Sequence, residues 1–349
     1  MYRRCAGVDA IDEYSCRLVS ALCERGVLTQ YVGDGLGSAR RQVADPSWIL
    51  LQYNPFAYGR WGFAPTLIAQ ALRFRRETGA LLAVSVHEGW VHSRDRGRAP
   101  WRSAVMGAYQ RAQLAALVTA ADVVMATTEA LVRKLWCAAI HVPVGSNVTP
   151  VAAGSEAARA RIGVHEEIVV ALFGTGHPSR ALEYATAAIR RVADARGPRT
   201  LKVLNLGVGT PRLDLAPEIA VVAPGHLAPD ELSIHLRASD MLLLPFADGA
   251  STRRTTLMAG LAHGLPVVGL RSPATDRVLA ERPDALTLTP IGDVAAYCDA
   301  TLALAQDAER RASSGRAARE LYLAEFDWPV IAGRVAAALA DDRALRPAT

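Results

Sequence analysis

Short, nearly unbroken apolar runs alternate along this chain with longer stretches that turn an apolar residue inward every third or fourth position. WILLQY (48–53), LLAVSVH (81–87), IVVALF (168–173) and MLLL (241–244) are the clearest runs and read as buried strands. The longer stretches read as helices. Alternation of the two is the pattern of βαβ units and parallel sheet. In order, the pattern predicts a helix over 12–23 with Tyr14, Leu18 and Leu22 on one face, then strands over 27–32 and 48–53. A helix over 63–78, a strand over 81–87, a helix over 100–121 and strands over 122–127 and 139–144 complete the first series. Residues 148–167 read as a connection, and a second series begins: strand 168–173, helix 180–196, strands 201–206 and 219–222, helix 229–238 and strand 241–244. At 349 residues the chain suits two such cores rather than one. The expected architecture is α/β, with one Rossmann-like, doubly wound parallel-sheet domain over 1–150 and a second over 166–327. No strand signal precedes the first helix; either that strand lies upstream of Met1 or this domain does without it.

One stretch, 241–269, concentrates chemistry. Its strand runs into a turn at 245–249, and Ser251 and Thr252 stand where a helix N-cap is expected. The following helix carries Leu257, Met258, Leu261 and Ala262 on an apolar face and is stopped by Gly264 and Pro266. The loop holds Asp248, Ser251, Thr252, Arg253 and Arg254 at a helix start, where backbone N–H groups and the dipole already favour an anion. Two guanidinium groups make phosphate the natural ligand. The plain alternative is a solvated helix start with arginines supplied by codon bias.

Composition narrows the class. The chain is 51% hydrophobic and 21% charged, as in a soluble globular protein, with no apolar run long enough to span a membrane and no signal-like segment near Met1. Five scattered cysteines without a CxxC pair indicate neither zinc nor a disulfide framework, which points to the cytoplasm. Net charge is +5, but arginines are spread along the chain without a basic run, so a nucleic-acid partner is not expected. A mild positive field suits acidic donors or the inner face of a membrane.

In open parallel sheets ligands gather at the carboxyl ends of strands. Those ends supply Asp12, Asn54, His87, Glu88, Thr128 and Asn147 in the first half, and Gly174, Gly176, Ser179, Arg180, Gly207, Gly225 and Asp248 in the second. Two such edges facing across a cleft would hold a charged donor and an acceptor. Gly174-Thr175-Gly176 opens a helix after a strand, but Ser179 replaces the third glycine of a dinucleotide fingerprint and Asn205 stands where the ribose acid is expected, so a nicotinamide cofactor fits poorly. The glycines more plausibly let backbone approach phosphates, with Arg180 in the first helical turn. There is no Walker sequence, no GxSxG elbow and no Asp-x-Asp pair to ligate a metal. His87 at a strand end is by default a hydrogen-bonded core residue; Glu88 and Trp90 beside it suit a sugar ring. Trp61, Trp101 and Trp136 read as packing residues, and Asp12 as an N-cap.

Seven stretches together resemble a glycosyltransferase of the GT-B fold, close to glycosyltransferase family 4: GVDAIDEYSCRLVSAL, ILLQYNPFAYGRWGF, VSVHEGW, VPVGSN, LFGTGHPSRALEY, DGASTRRTTLMAGLAHGLPVV and FDW at 326–328. The resemblance implies a retaining, metal-independent glycosyltransferase without a cofactor. It would move a sugar from a UDP- or GDP-type donor to a hydroxyl acceptor such as a glycan, a lipid-linked sugar or a small metabolite. It also implies a final helix, within 328–349, crossing back to the first domain. Position by position, Arg180 matches the basic residue that meets the diphosphate, His87 the histidine near the transferred sugar, and Gly225 to Leu227 the nucleobase contact. Gly7, Asp12, Glu88 and Asn147 fall on the acceptor side. The chain departs from the family's Glu-x7-Glu element. Ser251 and Ala259 occupy the two acidic positions, Asp248-Gly249 stands as a displaced first acid, and Arg253 and Arg254 take a larger share of the diphosphate. Two other functions fit the same scaffold: a non-catalytic GT-B-like binding subunit that has lost its acidic pair, and a sugar-nucleotide epimerase.

Overall fold

The computed structural model describes residues 10–32, 46–58, 62–91, 100–177 and 179–344. They form two compact units, one within Met1–Pro143 and Trp328–Thr349, the other Val144–Asp327.

The first unit opens with α1 (Ala10–Glu24), whose inward stripe of Tyr14, Leu18, Ala21 and Leu22 is buried as its spacing requires. Four parallel strands follow in consecutive order: β1 (Trp48–Tyr53), β2 (Leu81–Val86), β3 (Val123–Ala126) and β4 (Ile140–His141). β1 and β2 run in step from Trp48 opposite Leu81 to Tyr53 opposite Val86. Between them lies α2 (Pro65–Thr78), which starts on proline and stops at Gly79, in the left-handed conformation at φ 70°. The long α3 (Pro100–Ala120) links β2 to β3, and the short α4 (Glu129–Lys134) follows β3 with Thr128 as N-cap, its side chain accepting from the Leu131 N–H. The core of this unit gathers Leu51, Leu82, Val84, Leu114 and Leu117 from sheet and helices.

The strand expected over 27–32 does not form. The Leu28 side chain is wholly exposed, the Thr29 hydroxyl turns back to the Val27 carbonyl, and Val32 packs against the core without a strand partner among the described residues. β4 is likewise only a remnant of the strand expected over 139–144.

In the second unit α5 (Ser155–Arg161) precedes a six-stranded parallel sheet. Its strands are β5 (Ile168–Phe173), β6 (Leu201–Leu206), β7 (Ala220–Gly225), β8 (Met241–Leu244), β9 (Val267–Arg271) and β10 (Leu286–Pro290). Their spatial order is β10-β9-β8-β5-β6-β7. The chain therefore builds outward from β5 in one direction, then returns and builds outward from β8 in the other. The switch point lies between β5 and β8. The helices are α6 (Leu182–Arg196), α7 (Pro229–Arg237), α8 (Thr255–Ala262), α9 (Arg277–Ala280), α10 (Val294–Gln306) and α11 (Ala308–Glu325). Val170, Leu172, Ile189, Leu243 and Tyr297 are fully buried between sheet and helices. Truncating one of these leucines to alanine would cost about 2–5 kcal/mol, which is why the site at the sheet's edge stands on a stiff base. The last helix, α12 (Trp328–Ala344), belongs to the first unit, where it packs on α1.

Candidate functional site

The loops leaving β5 and β8 meet at the switch point, and both bring arginine. Arg180 is not in the first turn of a helix as its sequence suggests. Its backbone makes an isolated antiparallel bridge to Phe246, and the next N–H, of Ala181, donates to the Pro245 carbonyl, so α6 begins two residues later. That bridge stitches the β5 exit to the β8 exit. The Arg180 side chain is 8% exposed. One guanidinium nitrogen, Nη1, donates to the carbonyls of Gly174 and Thr175, each at 3.3 Å, while Nη2 is buried without a hydrogen-bond partner. Burial lowers the pKa of this guanidinium from its ordinary value, opposed in part by Tyr297. A buried cation facing two long carbonyl contacts and no carboxylate is an unmet demand for an anion.

Arg254 meets the same bridge at the Phe246 side chain. Its guanidinium carbon sits 4.1 Å from the centroid of the Phe246 ring, and Nη2 donates to both oxygens of Asp248, at 2.6 and 2.8 Å. Arg253 Nη2 reaches the same carboxylate at 2.7 Å. Asp248 thus clamps two guanidinium groups. Burial pushes its carboxyl up, but Arg254 and Arg253 outweigh that and hold it below the usual carboxylate range. One carboxylate against Arg180, Arg253 and Arg254 leaves the cluster cationic. It is held in fixed directions rather than on loose side chains.

The expected N-cap is placed differently. α8 begins at Thr255, and Arg254, without a side-chain cap bond, occupies the cap position. Ser251 and Thr252 lie in the preceding turn, where a buried carboxylate competes for Thr252. Asp276 accepts from the Thr252 N–H at 2.7 Å and from its hydroxyl at 2.9 Å. The Ser251 hydroxyl is buried with no hydrogen-bond partner. Gly249 lies at φ 86°, and a Cβ there would stand 2.6 Å from the Ser272 hydroxyl, which donates to the Asp248 carbonyl. The glycines after β5 also serve a local end. A Cβ on Gly176 would stand 2.1 Å from the Gly209 carbonyl oxygen, and one on Gly207 2.2 Å from that of Gly174. These residues let the exits of β5 and β6 touch backbone to backbone. Ser179 donates from its N–H to His177 Nδ1, which fixes that ring as an acceptor there, and its carbonyl accepts from Ala247. Gly225 closes β7 at φ 75°, with half-buried Leu227 beyond it.

In the first unit, His87 follows β2 and is 8% exposed. Its Nε2 lies 2.7 Å from Gln52 Oε1, which makes it a donor, and the ring stands edge-on to Tyr14 at 4.8 Å. Burial pushes the imidazole down to about 4, so it is neutral at physiological pH. Tyr14 touches Trp328 of α12 at 5.3 Å. Asp12 accepts a hydrogen bond from the Tyr31 hydroxyl, Asn54 Oδ1 accepts from the Phe56 N–H, and Glu88 is half-buried. Asn147, half-buried, belongs to the second unit. Gly7 and Trp61 lie outside the described residues. Trp101 and Trp136 are 64% and 46% exposed and do not pack inside. Among the described residues no group of three or more His, Cys, Asp or Glu side chains could hold a metal ion, and no helix is long and apolar enough to cross a membrane.

Residues 167–307, which contain the switch point and both arginine loops, match the profile of the family described as glycosyl transferases group 1. Over that segment the chain is similar to glycosyltransferase domains. Three solved structures superpose on most of the chain. Sucrose-phosphate synthase from Thermosynechococcus elongatus superposes with a TM-score of 0.65 at 18% identity, covering 89% of this chain and 77% of that one. Anabaena HepE in complex with UDP-glucose gives 0.66 at 13%, covering 97% and 98%. WaaG, a glycosyltransferase involved in lipopolysaccharide biosynthesis, gives 0.64 at 13%, covering 95% and 96%. At these identities the likeness is one of fold, and that fold is GT-B, two parallel-sheet α/β domains. Comparison with curated protein sequences finds no match.

Three residues of the second unit's site escape sequence reading: Phe246, Asp276 and Thr256. Phe246 looks like the tail of an apolar run, yet its backbone holds Arg180 and its ring carries Arg254. Asp276 precedes a short helix and has the sequence signal of a cap, but its carboxylate turns to Thr252 instead. The methyl of Thr256 lies 3.5 Å from where a Cβ on Gly174 would stand, closing the gap between α8 and the β5 exit.

Proposed function

We propose that the chain is a retaining, metal-independent glycosyltransferase that moves a sugar from a UDP- or GDP-type donor to a hydroxyl acceptor. The observation that carries the reading is the buried, half-satisfied Arg180 guanidinium, joined through Phe246 to Arg254. A leaving nucleoside diphosphate develops negative charge as the glycosidic bond to it breaks. Preorganised guanidinium and N–H donors stabilise that charge without reorganising. Arg180 Nη2, Arg253 and Arg254 meet the phosphates. Asp248 holds Arg253 and Arg254 in register, and stands nearest to the role of the family's first acid. The Ser251 hydroxyl, the Thr252 turn, Gly249 and the backbone of Gly174, Gly176 and Ser179 complete the donor contacts, with Gly225 and Leu227 beside the base. His87, as a neutral hydrogen-bonding imidazole, serves the transferred sugar, and Asp12, Glu88, Asn147 and Gly7 serve the acceptor. That the HepE structure holds UDP-glucose supports a nucleotide-sugar donor. The reaction belongs in the cytoplasm, and at the inner face of the membrane where the acceptor is lipid-linked.

A second reading, a GT-B-like subunit that binds a donor without transferring it, has one observation in its favour. Ala259, at the family's second acidic position, is fully buried in α8, so no carboxylate reaches the donor from there. Incubating the protein with UDP- and GDP-sugars in EDTA, with and without hydroxyl acceptors, separates the two. Transfer with retained anomeric configuration is the expected result. Binding without turnover across the panel would favour the subunit, and conversion of donor alone an epimerase.

A further inference from the structure

Over its first half, α3 is built inside out. The face it turns into the unit is polar: Ser103 and Gln110 are fully buried, and Gln113 nearly so. Gln110 Oε1 accepts from the Val91 N–H and Gln113 Oε1 from the Ala64 N–H, so these side chains satisfy loop backbone instead of packing oil. The opposite face is apolar at helical spacing. Trp101 and Val105 are 64% and 65% exposed, and Ala104, Ala108 and Ala112 continue the stripe in the open. A surface helix ordinarily does the reverse, and large apolar side chains held in water mark a contact surface.

Beside the stripe runs an open groove of about 570 Å³ between α3, Trp90 and Trp136. The two indoles stack at 5.5 Å and 18°. The Arg111 guanidinium lies 5.5 Å from the Trp90 ring and 5.1 Å from that of Trp136, and Arg102 lies 5.2 Å from the Trp101 ring. The backbone after Trp90 lies close against α3, where a Cβ on Gly107 would stand 2.2 Å from the Val91 carbonyl oxygen. Arg102, Arg111 and Lys134 are exposed, and none has a carboxylate partner among the described residues. No Asp or Glu occurs anywhere in Pro100–Ala120.

We propose that this face of α3, with Trp90 and Trp136, docks the protein on an anionic lipid surface. Indoles settle at the boundary between headgroups and acyl chains, and arginine and lysine stems lie along apolar surface while their charges reach lipid phosphates. Arg102 and Arg111 on a helix without acids select lipid over a second copy of the chain, which would set the same arginines against each other across a two-fold axis. The inference goes beyond glycosyl transfer and does not depend on it.

The test is sedimentation of the full chain with vesicles of phosphatidylcholine, alone or mixed with phosphatidylglycerol. Binding to the mixed vesicles only, released by high salt, is expected. W101S/V105S lowers the partition coefficient by at least roughly tenfold, and R111A and K134A by roughly fivefold each. A thermal shift with UDP is read in parallel, and it is the same in these variants as in the wild type. Absence of binding to the mixed vesicles, or equal partition of W101S/V105S and wild type, overturns the proposal. So does a dimer in sedimentation velocity that W101S/V105S dissolves. Vesicle binding without a UDP shift would sink the donor reading alone, and a UDP shift without vesicle binding would sink this one alone.

Discussion

Replacing Arg180 with methionine keeps most of its volume and removes its charge, and the site's geometry fixes the sign of two effects at once. In the fold, the side chain gives two 3.3 Å hydrogen bonds to carbonyls and leaves Nη2 buried and unpartnered. Two long bonds contribute ~1 kcal/mol or less together, while burying an unpaired cation costs at least as much, so Arg180→Met is expected to leave stability unchanged or raise it by ~1 kcal/mol. For a domain of this size that is a Tm rise of up to about 4 °C. In donor binding, the same change removes a charge-assisted contact to phosphate, each of which contributes ~1.5–3 kcal/mol, so UDP or GDP affinity and kcat/KM fall by at least about tenfold. Differential scanning fluorimetry of the free protein and titration calorimetry with UDP and GDP read the two effects separately. A structural arginine gives the opposite pattern. A loss of more than about 3 kcal/mol of stability with unchanged nucleotide affinity would refute the reasoning.

Other outcomes follow from neighbouring groups. Ser251→Ala removes a buried hydroxyl that has no partner, so the free protein keeps or gains up to ~1 kcal/mol while donor affinity drops about fivefold; a stability loss without an affinity change contradicts this. Thr252→Val leaves one lone pair of the buried Asp276 carboxylate without a donor and costs ~1–3 kcal/mol in urea denaturation. Gly207→Ala, at φ 124° and 2.2 Å from the Gly174 carbonyl oxygen, costs ~2 kcal/mol or more and raises KM for the donor, because it pries apart the β5 and β6 exits. His87 and His263 are both pushed down to about 4 by burial. The unfolded chain therefore takes up protons first, and the stability these neutral rings contribute is complete above about pH 6.5 and lost as pH falls toward 4. Each ring accounts for about 2 kcal/mol of loss between pH 6.5 and 5, read from denaturation curves at the two values.

β5 and β8 of the second unit were legible because each is a buried parallel strand, apolar on both faces and bounded by glycine, proline or a charge, whereas the edge strand β7 is largely exposed and β10, with two threonines among five residues, drew no expectation. The strand expected over 27–32 carries the same kind of residues, but Leu28 has no surface to cover, and a pattern of six positions does not say whether a partner exists. At the site, the residue types at the two strand exits could be read, while their partners could not. That Arg180 pairs with Phe246 and that Asp276 draws Thr252 out of the cap are contacts between segments far apart in sequence, and the clamp of Asp248 on both arginines, though only five and six residues long, is made by an irregular turn. Local periodicity carries no record of them. The inverted face of α3 was not legible. Its buried glutamines and exposed Trp101 show the same period as a normal amphipathic helix, and only burial tells which side faces inward.

The account rests on a diphosphate being held by arginine rather than by a divalent ion at the β5–β8 switch point. Titration calorimetry of UDP, GDP and their monophosphates in EDTA tests this most directly. One nucleoside diphosphate should bind at least about tenfold more tightly than its monophosphate, with the difference abolished in Arg180→Met. Equal affinity for mono- and diphosphate, or diphosphate binding that appears only when a divalent cation is added, would contradict it.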